Sequence, residues 1–162
     1  MYHICIAIQF FYSKTSAMRT VNAILKQKGP HFNFIEASDT VLDAITLMKC
    51  ENISYLIVFE NDNYVGIISE KDYAQKVILD NKHSNTTLVK EVMTKDLPII
   101  SGEDTAEQCM LLMNASRSRY LPVFDNAVFK GVITIHDLMR ETIREKGETQ
   151  SIEEKFPQHY WI

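Results

Sequence analysis

Two short stretches of this sequence set a hydroxyl three residues ahead of a carboxylate, directly behind an apolar run. They are Gly66-Ile-Ile-Ser-Glu-Lys-Asp72 and Gly131-Val-Ile-Thr-Ile-His-Asp137. An apolar run ending in Ser or Thr reads as a strand that delivers the chain to a helix start. Free backbone N–H groups and the positive end of the helix dipole favour an anion there. An aspartate in the first helical turn can accept hydrogen bonds from two vicinal hydroxyls. Hydroxyl and helix N-terminus for phosphate, with carboxylate for ribose, is the chemistry of a nucleotide site. The competing reading is a capping box, with Ser69 or Thr134 as the cap and Asp72 or Asp137 bonding back to it. A solitary Ser-x-x-Asp more often means the cap. The preceding glycine, the position behind a strand and the recurrence favour the site.

The recurrence reaches well beyond the motif. The second copy lies 65 positions after the first, and the register holds without a gap from Asp39 to Asp72 against Asp104 to Asp137. Leu47/Leu112, Tyr55/Tyr120, Phe59/Phe124 and Gly66/Gly131 are among the identities. A repeat in one register dictates the architecture. In each copy a short strand (Phe34-Ile35; Ile99-Ile100) leads to capping residues (Ser38-Asp39-Thr40; Asp104-Thr105). An apolar helical stripe follows, Val41, Ala44, Ile45 and Met48 in the first copy and Ala106, Cys109, Met110 and Met113 in the second. Tyr55 to Phe59 and Tyr64 to Ile68 form a hairpin, repeated at Tyr120 to Phe124 and Phe129 to Ile133. Ser69 then opens a helix to about Leu79, and Thr134 opens the last one.

Each unit is thus β-α-β-β-α, and at about sixty residues neither buries a generous core alone, so pairing through the sheets is expected. A helix over Arg19 to Lys28, stopped by Gly29-Pro30, precedes the first copy, and Leu88 to Met93 is its shorter counterpart. The expected organisation is an N-terminal extension (1–17), a first repeat with its preceding helix (18–82), a second repeat (83–147) and a C-terminal tail (148–162). The tail carries Phe156, Tyr160 and Trp161, an aromatic surface expected to pack on the body or on a second subunit.

Composition narrows the function classes. A hydrophobic fraction of 46% with 23% charged residues fits a soluble globular protein. A net charge of −4 gives no reason to expect nucleic acid or an anionic membrane as partner. The 3 cysteines are widely spaced and contain no C-x-x-C pair, which fits a reducing, cytoplasmic setting without disulfides or zinc. The apolar stretch within residues 1–17 is about half the ~20 residues of a membrane-spanning helix. No metal-binding histidine spacing, P-loop, G-x-S-x-G or G-x-G-x-x-G is present, so a binding protein rather than an enzyme is expected.

The paired β-α-β-β-α pattern, closed each time by G-h-h-[ST]-x-x-D (h apolar), resembles a tandem cystathionine β-synthase (CBS) domain pair, or Bateman module. The resemblance spans roughly residues 19–147 and is nearest to small stand-alone bacterial members. Arg117-Ser-Arg-Tyr-Leu-Pro-Val123 is similar to the second-domain R-x-R-H-L-P-V of that family, with Tyr120 where His is usual. The resemblance implies an α+β fold of two CBS repeats packed through their sheets with pseudo-two-fold symmetry. It also implies a regulatory module for adenosine-containing ligands, with AMP the leading candidate and ADP, ATP, NAD(H) and S-adenosylmethionine the others. Carried onto this sequence, Asp72 and Asp137 would hold ribose hydroxyls, and Ser69 and Thr134 would face ribose or phosphate. Arg119 would meet phosphate with Arg117 as helper, and Tyr120 and His136 would line the cleft. The first copy has Asn52 and Ser54 opposite the two arginines, so Lys71 and Lys76 are its only candidate cations. A homodimer sensing energy or redox state for a separate regulated protein is the implied mode of action. The alternatives are a ligand-free dimerisation scaffold or the regulatory subunit of a separately encoded enzyme or transporter.

Overall fold

In the computed structural model, residues 19–29 and 32–145 are described; the expected N-terminal extension and aromatic tail lie outside them. The elements run α1 (Val21–Lys28), β1 (Phe34–Glu36), α2 (Val41–Glu51), β2 (Tyr55–Glu60), β3 (Asn63–Ser69), α3 (Glu70–Tyr73), α4 (Val89–Val92), α5 (Ala106–Ser116), β4 (Tyr120–Asp125), β5 (Val128–Thr134) and α6 (Ile135–Glu145). Both copies build the same hairpin. Asn61 and Asp62, then Asn126 and Ala127, take positive φ at the tip, the two-residue geometry that matches strand twist. Each hairpin is irregular at the same place, between Val58 and Phe59 and between Val123 and Phe124. β1 pairs in parallel with β2, completing a three-stranded sheet.

The expected strand at Ile99-Ile100 is reduced to one parallel bridge, Ile100 with Val123. Pro98 just ahead has no N–H to donate, which limits the pairing. The helix expected from Ser69 to Leu79 also differs. It is α-helical to Tyr73 and widens into a π turn over Ala74–Ile78, whereas α6 stays α-helical throughout.

The helix that precedes each copy in sequence packs into the core of the other. Val21 and Ile24 of α1 join Ile100, Cys109, Met113, Leu121, Ile133 and Leu138 of the second copy. Val89, Val92 and Met93 join Ile35, Val41, Met48, Leu56 and Ile68 of the first. Matching backbone bonds dock them: Val21 N–H donates to Asp104 O, and Val89 N–H donates to Asp39 O, both at 2.9 Å.

A third cluster joins the sheets, with Ile57, Ile67 and Val132 buried among aromatic rings. The rings follow a pseudo-two-fold axis. The equivalent pair Tyr55 and Tyr120 meets at 4.6 Å, and the equivalent pair Tyr64 and Phe129 stacks at 4.9 Å. The crosswise contacts Phe59–Phe129 and Tyr64–Phe124 mirror each other at 5.7 and 5.6 Å. The fold is therefore two β-α-β-β-α repeats packed sheet to sheet. That packing brings the start of β2 beside the start of β4.

Candidate functional site

Each motif sits where β3 or β5 hands the chain to α3 or α6. In the first copy, Asp72 Oδ2 accepts the Ser69 N–H at 2.9 Å and its hydroxyl at 2.6 Å, while Ser69 Oγ accepts the Asp72 N–H. In the second, Asp137 Oδ2 accepts the Thr134 N–H at 2.8 Å and its hydroxyl at 2.9 Å, with the return bond likewise present. Both motifs are capping boxes, so the structural role of Ser-x-x-Asp is real. Any binding role must use what the cap leaves over.

What it leaves differs between the copies. Asp72 is 7% exposed, and its Oδ1 accepts the Thr94 hydroxyl at 2.7 Å and lies 2.7 Å from Lys76 Nζ. Lys76 also donates to Val92 O and Thr94 Oγ1, both at 2.9 Å. Four donors fill the four lone-pair sites of this carboxylate. Lys76, a candidate cation in the sequence, is thus committed to Asp72 itself. Lys71 is exposed on α3, away from any partner among the described residues.

Asp137 is 8% exposed, and its Oδ2 also lies 2.8 Å from Lys28 Nζ, which donates to Val132 O at 3.1 Å as well. Among the described residues nothing donates to Oδ1. Asp137 lines a cleft of about 670 Å³, with walls from both copies. Arg119, Tyr120, Thr134, His136 and Asp137 of the expected site line it, together with Lys28, Phe32, Tyr55 and Arg140. Ser69, Lys71, Asp72 and Arg117 do not. Arg117 is drawn off because it ends α5 in a left-handed conformation, φ 52°, with its side chain exposed. Asn52 ends α2 in the same way, φ 53°.

Burial and neighbouring charge set the protonation states. Burial alone would lower the Lys28 pKa, but the neighbouring Tyr55 oxygen and Asp137 carboxylate outweigh it, so the pKa is raised and the ammonium keeps its proton. Burial raises the Tyr55 and Tyr120 phenols, which stay neutral donors at neutral pH. The Tyr120 hydroxyl lies 3.3 Å from Ser54 Oγ across the two copies. The cleft thus offers an aromatic pair, neutral hydroxyls, cations and one carboxylate.

Lys28 and Arg140 were not legible as site residues. Arg140 follows His136 by one helical turn, a spacing that signals a shared face. Lys28 reaches the cleft from a helix more than a hundred residues away in sequence, |i−j| 109 from Asp137, and no local pattern marks it. Among the described residues, no group of three or more His, Cys, Asp or Glu is placed to hold a metal ion, and no helix is long and apolar enough to cross a membrane.

The chain is similar in sequence and fold to known proteins. The family model described as CBS domain matches residues 29–78 and 89–144. The mitochondrial CBS domain-containing protein CBSX3 of Arabidopsis thaliana is 30% identical over 138 residues, covering 80% of this chain and 67% of that protein. Inosine-5'-monophosphate dehydrogenase of Methanocaldococcus jannaschii is 37% identical over 108 residues, 65% of this chain but 21% of the enzyme. Among solved structures, a CBS-domain protein of Burkholderia ambifaria MC40-6 superposes with a TM-score of 0.73 at 38% identity, covering 77% of this chain and 94% of that one. A hexameric CBS-CP12 protein from bloom-forming cyanobacteria gives 0.65 at 29% identity, covering 84% and 79%.

Proposed function

The chain belongs to the CBS domain family, and from that premise we propose that it is a regulatory module binding an adenine nucleotide in the Asp137 cleft. AMP, ADP, ATP and NAD(H) are the candidate ligands. CBS pairs are regulatory ligand-binding units rather than catalysts, and the short match to a much longer dehydrogenase fits a control role. One observation carries the reading. The buried Asp137 lines a cleft flanked by Tyr55, Tyr120, Arg119 and the N-terminus of α6, and among the described residues nothing donates to its Oδ1. Ribose hydroxyls would donate to Asp137, phosphate would lie toward Thr134 and Arg119, and adenine would lie against the apolar and aromatic wall. Arg117, exposed at the end of α5, takes no part in this arrangement.

Signalling then works by linkage, since a ligand shifts the module only by its differential affinity for two arrangements. The cleft is walled by both copies, so occupancy bears on the angle between them. A homodimer paired through helix faces is the proposed assembly, supported by Leu111 on α5 and Met139 on α6, which are 65% and 51% exposed. A regulated protein outside this chain would read the change.

A thermal-shift panel with AMP, ADP, ATP, NAD⁺ and NADH tests the reading. A ligand at a hundred times its Kd adds ~2.7 kcal/mol. For a domain of this size that is roughly 5–10 °C in Tm. The capping boxes themselves favour a second reading, a ligand-free scaffold. Under it no nucleotide shifts Tm, and none is released when the purified protein is denatured.

A further inference from the structure

We infer that the Asp137 cleft selects its ligand by negative charge, and that Lys28 of α1 is a specificity-determining residue in it. The inference rests on the proposed adenosine-ligand site and adds to it the class of ligand.

The argument is a charge inventory. Among the described residues, those lining the cleft include three permanent cations, Lys28, Arg119 and Arg140, with His136 beside them and Asp137 as the single carboxylate. Lys28 is already matched to Asp137. Neither Arg119 nor Arg140 forms an ion pair among the described residues. The cleft therefore holds an excess of positive charge on a chain whose formal net charge is −4. The first copy has no counterpart to this excess, since Ser54 and Gln75 stand opposite Arg119 and Arg140.

Such a cleft discriminates within the adenosine-containing class. A phosphate ester brings the charge that two guanidinium groups are shaped to receive. Adenosine brings none and leaves them unmatched. S-adenosylmethionine brings a sulfonium cation next to cations already present and is disfavoured by repulsion.

Lys28 sharpens the selection because it shares a carboxylate with the sugar. Its ammonium donates to Asp137 Oδ2 and Val132 O and stands beside the Tyr55 oxygen, a neutral and weaker acceptor than a phosphate. Its side chain is 22% exposed, enough to be reached from the cleft and buried enough to limit screening by salt. Lys28 holds Oδ2 and leaves Oδ1 to a diol, and a phosphate oxygen in the same cleft would be a second anionic acceptor for the ammonium. Lys28 precedes residue 29, where the family match begins, so the shared motif does not assign it.

Isothermal titration of the intact chain with adenosine, AMP, ADP and S-adenosylmethionine tests this, with the Lys28→Met and Asp137→Asn variants alongside. Loss of the phosphate should make adenosine about tenfold weaker than AMP, the effect of removing a charge-assisted hydrogen bond. ADP should bind more tightly than AMP, and S-adenosylmethionine should give no heat. Lys28→Met should weaken AMP and ADP by about tenfold more than it weakens adenosine. A salt series on the intact chain gives a readout that needs no variant: ADP affinity should fall as salt rises and adenosine affinity should not. Adenosine or S-adenosylmethionine binding as tightly as AMP, with Asp137→Asn abolishing it, would overturn the charge selection and leave the nucleotide site standing. Lys28→Met weakening every ligand equally would overturn the role of Lys28. Silence from all four ligands would remove the nucleotide reading, and this inference with it.

Discussion

Asp72 and Asp137 occupy the same position in the same turn of two copies of one motif, and each closes a capping box. In the first copy Lys76, one helical turn on, folds back onto Asp72, and Thr94 donates to the same oxygen. In the second, the position of Lys76 is held by Glu141, which is 3% exposed and cannot pair with an aspartate. Both carboxylates of that face of α6 find their cations in α1 or just ahead of it. Lys28 pairs with Asp137, and the Arg19 guanidinium lies 2.8 Å from Glu141 Oε1, with Nη1 donating to Oε2 at 3.4 Å. A single exchange of Lys for Glu thus separates a carboxylate that is internally matched from one that depends on a distant helix. The two copies keep the same backbone geometry, whereas what each carboxylate has left to offer follows the side chains around it.

The sharpest way to break this comparison is to neutralise each aspartate in turn. Asp137→Asn should reduce nucleotide affinity on the order of a hundredfold, since an amide replaces the charged acceptor for the sugar. Asp72→Asn should leave affinity untouched and lower the unfolding free energy by about 2 kcal/mol, through a weakened cap and an unmatched, partly exposed Lys76. Calorimetric titration of both variants, with urea melts, decides it. The same titration on the intact chain should give one nucleotide per chain; two would show that Asp72 also binds.

The glycines that open the two motifs come next. A Cβ at Gly66 would lie 2.7 Å from the Thr94 carbonyl oxygen, a backbone atom with little room to yield. Gly66→Ala should cost about 2 kcal/mol with binding intact. At Gly131, φ is +148° and the same atom would lie 2.8 Å from the Phe32 ring, which lines the cleft. Gly131→Ala should therefore lower both stability and affinity, read by the same two measurements.

Tyr64 and its equivalent Phe129 make a smaller contrast. The Tyr64 hydroxyl is buried without a partner among the described residues, and burial pushes its pKa from 10.0 to about 12. Tyr64→Phe should raise the unfolding free energy by about 1 kcal/mol, as an unsatisfied polar group is removed. The sign of the pH effect follows from the raised pKa. The stability tied to the neutral phenol is complete below pH 10 and is lost as pH climbs toward 12. Melts of the variant between those limits should lack that part of the decline.

The smallest effect belongs to the equivalent helix ends. Asn52 tolerates its left-handed backbone better than Arg117 does. Arg117→Asn should gain about 0.5 kcal/mol in urea melts and leave nucleotide affinity unchanged.

The parts of this molecule that were readable in the sequence are those fixed locally or written twice. Gly66/Gly131, the hairpin residues and the Ser-x-x-Asp spacing specify backbone geometry over a few residues, and their recurrence supplied the architecture. Arg119, Tyr120, Thr134, His136 and Asp137 could be grouped because the sheet packing that joins them is itself implied by the repeat. Lys28 could not, because its partner is chosen by docking across the fold. Arg117 was misleading for a related reason: two positions before Arg119 it suggests a shared strand entrance, but it is the last turn of a helix that sets its direction. The commitment of Lys76 to Asp72 has the ordinary i,i+4 spacing, but the Thr94 hydroxyl and Val92 carbonyl that complete it come from a segment about twenty residues away.

The exchange of α1 and α4 between cores has a consequence for the order of events during synthesis. Among the described residues, the core of the first copy contains nothing beyond Met93, so its side chains are all present once that residue has left the ribosome. The cluster around Val21 and Ile24, which are made far earlier, is complete only when Leu138 has emerged. The apolar face of α1 thus lacks its full set of neighbours throughout that interval and stays open to whatever chaperone attends the exit tunnel.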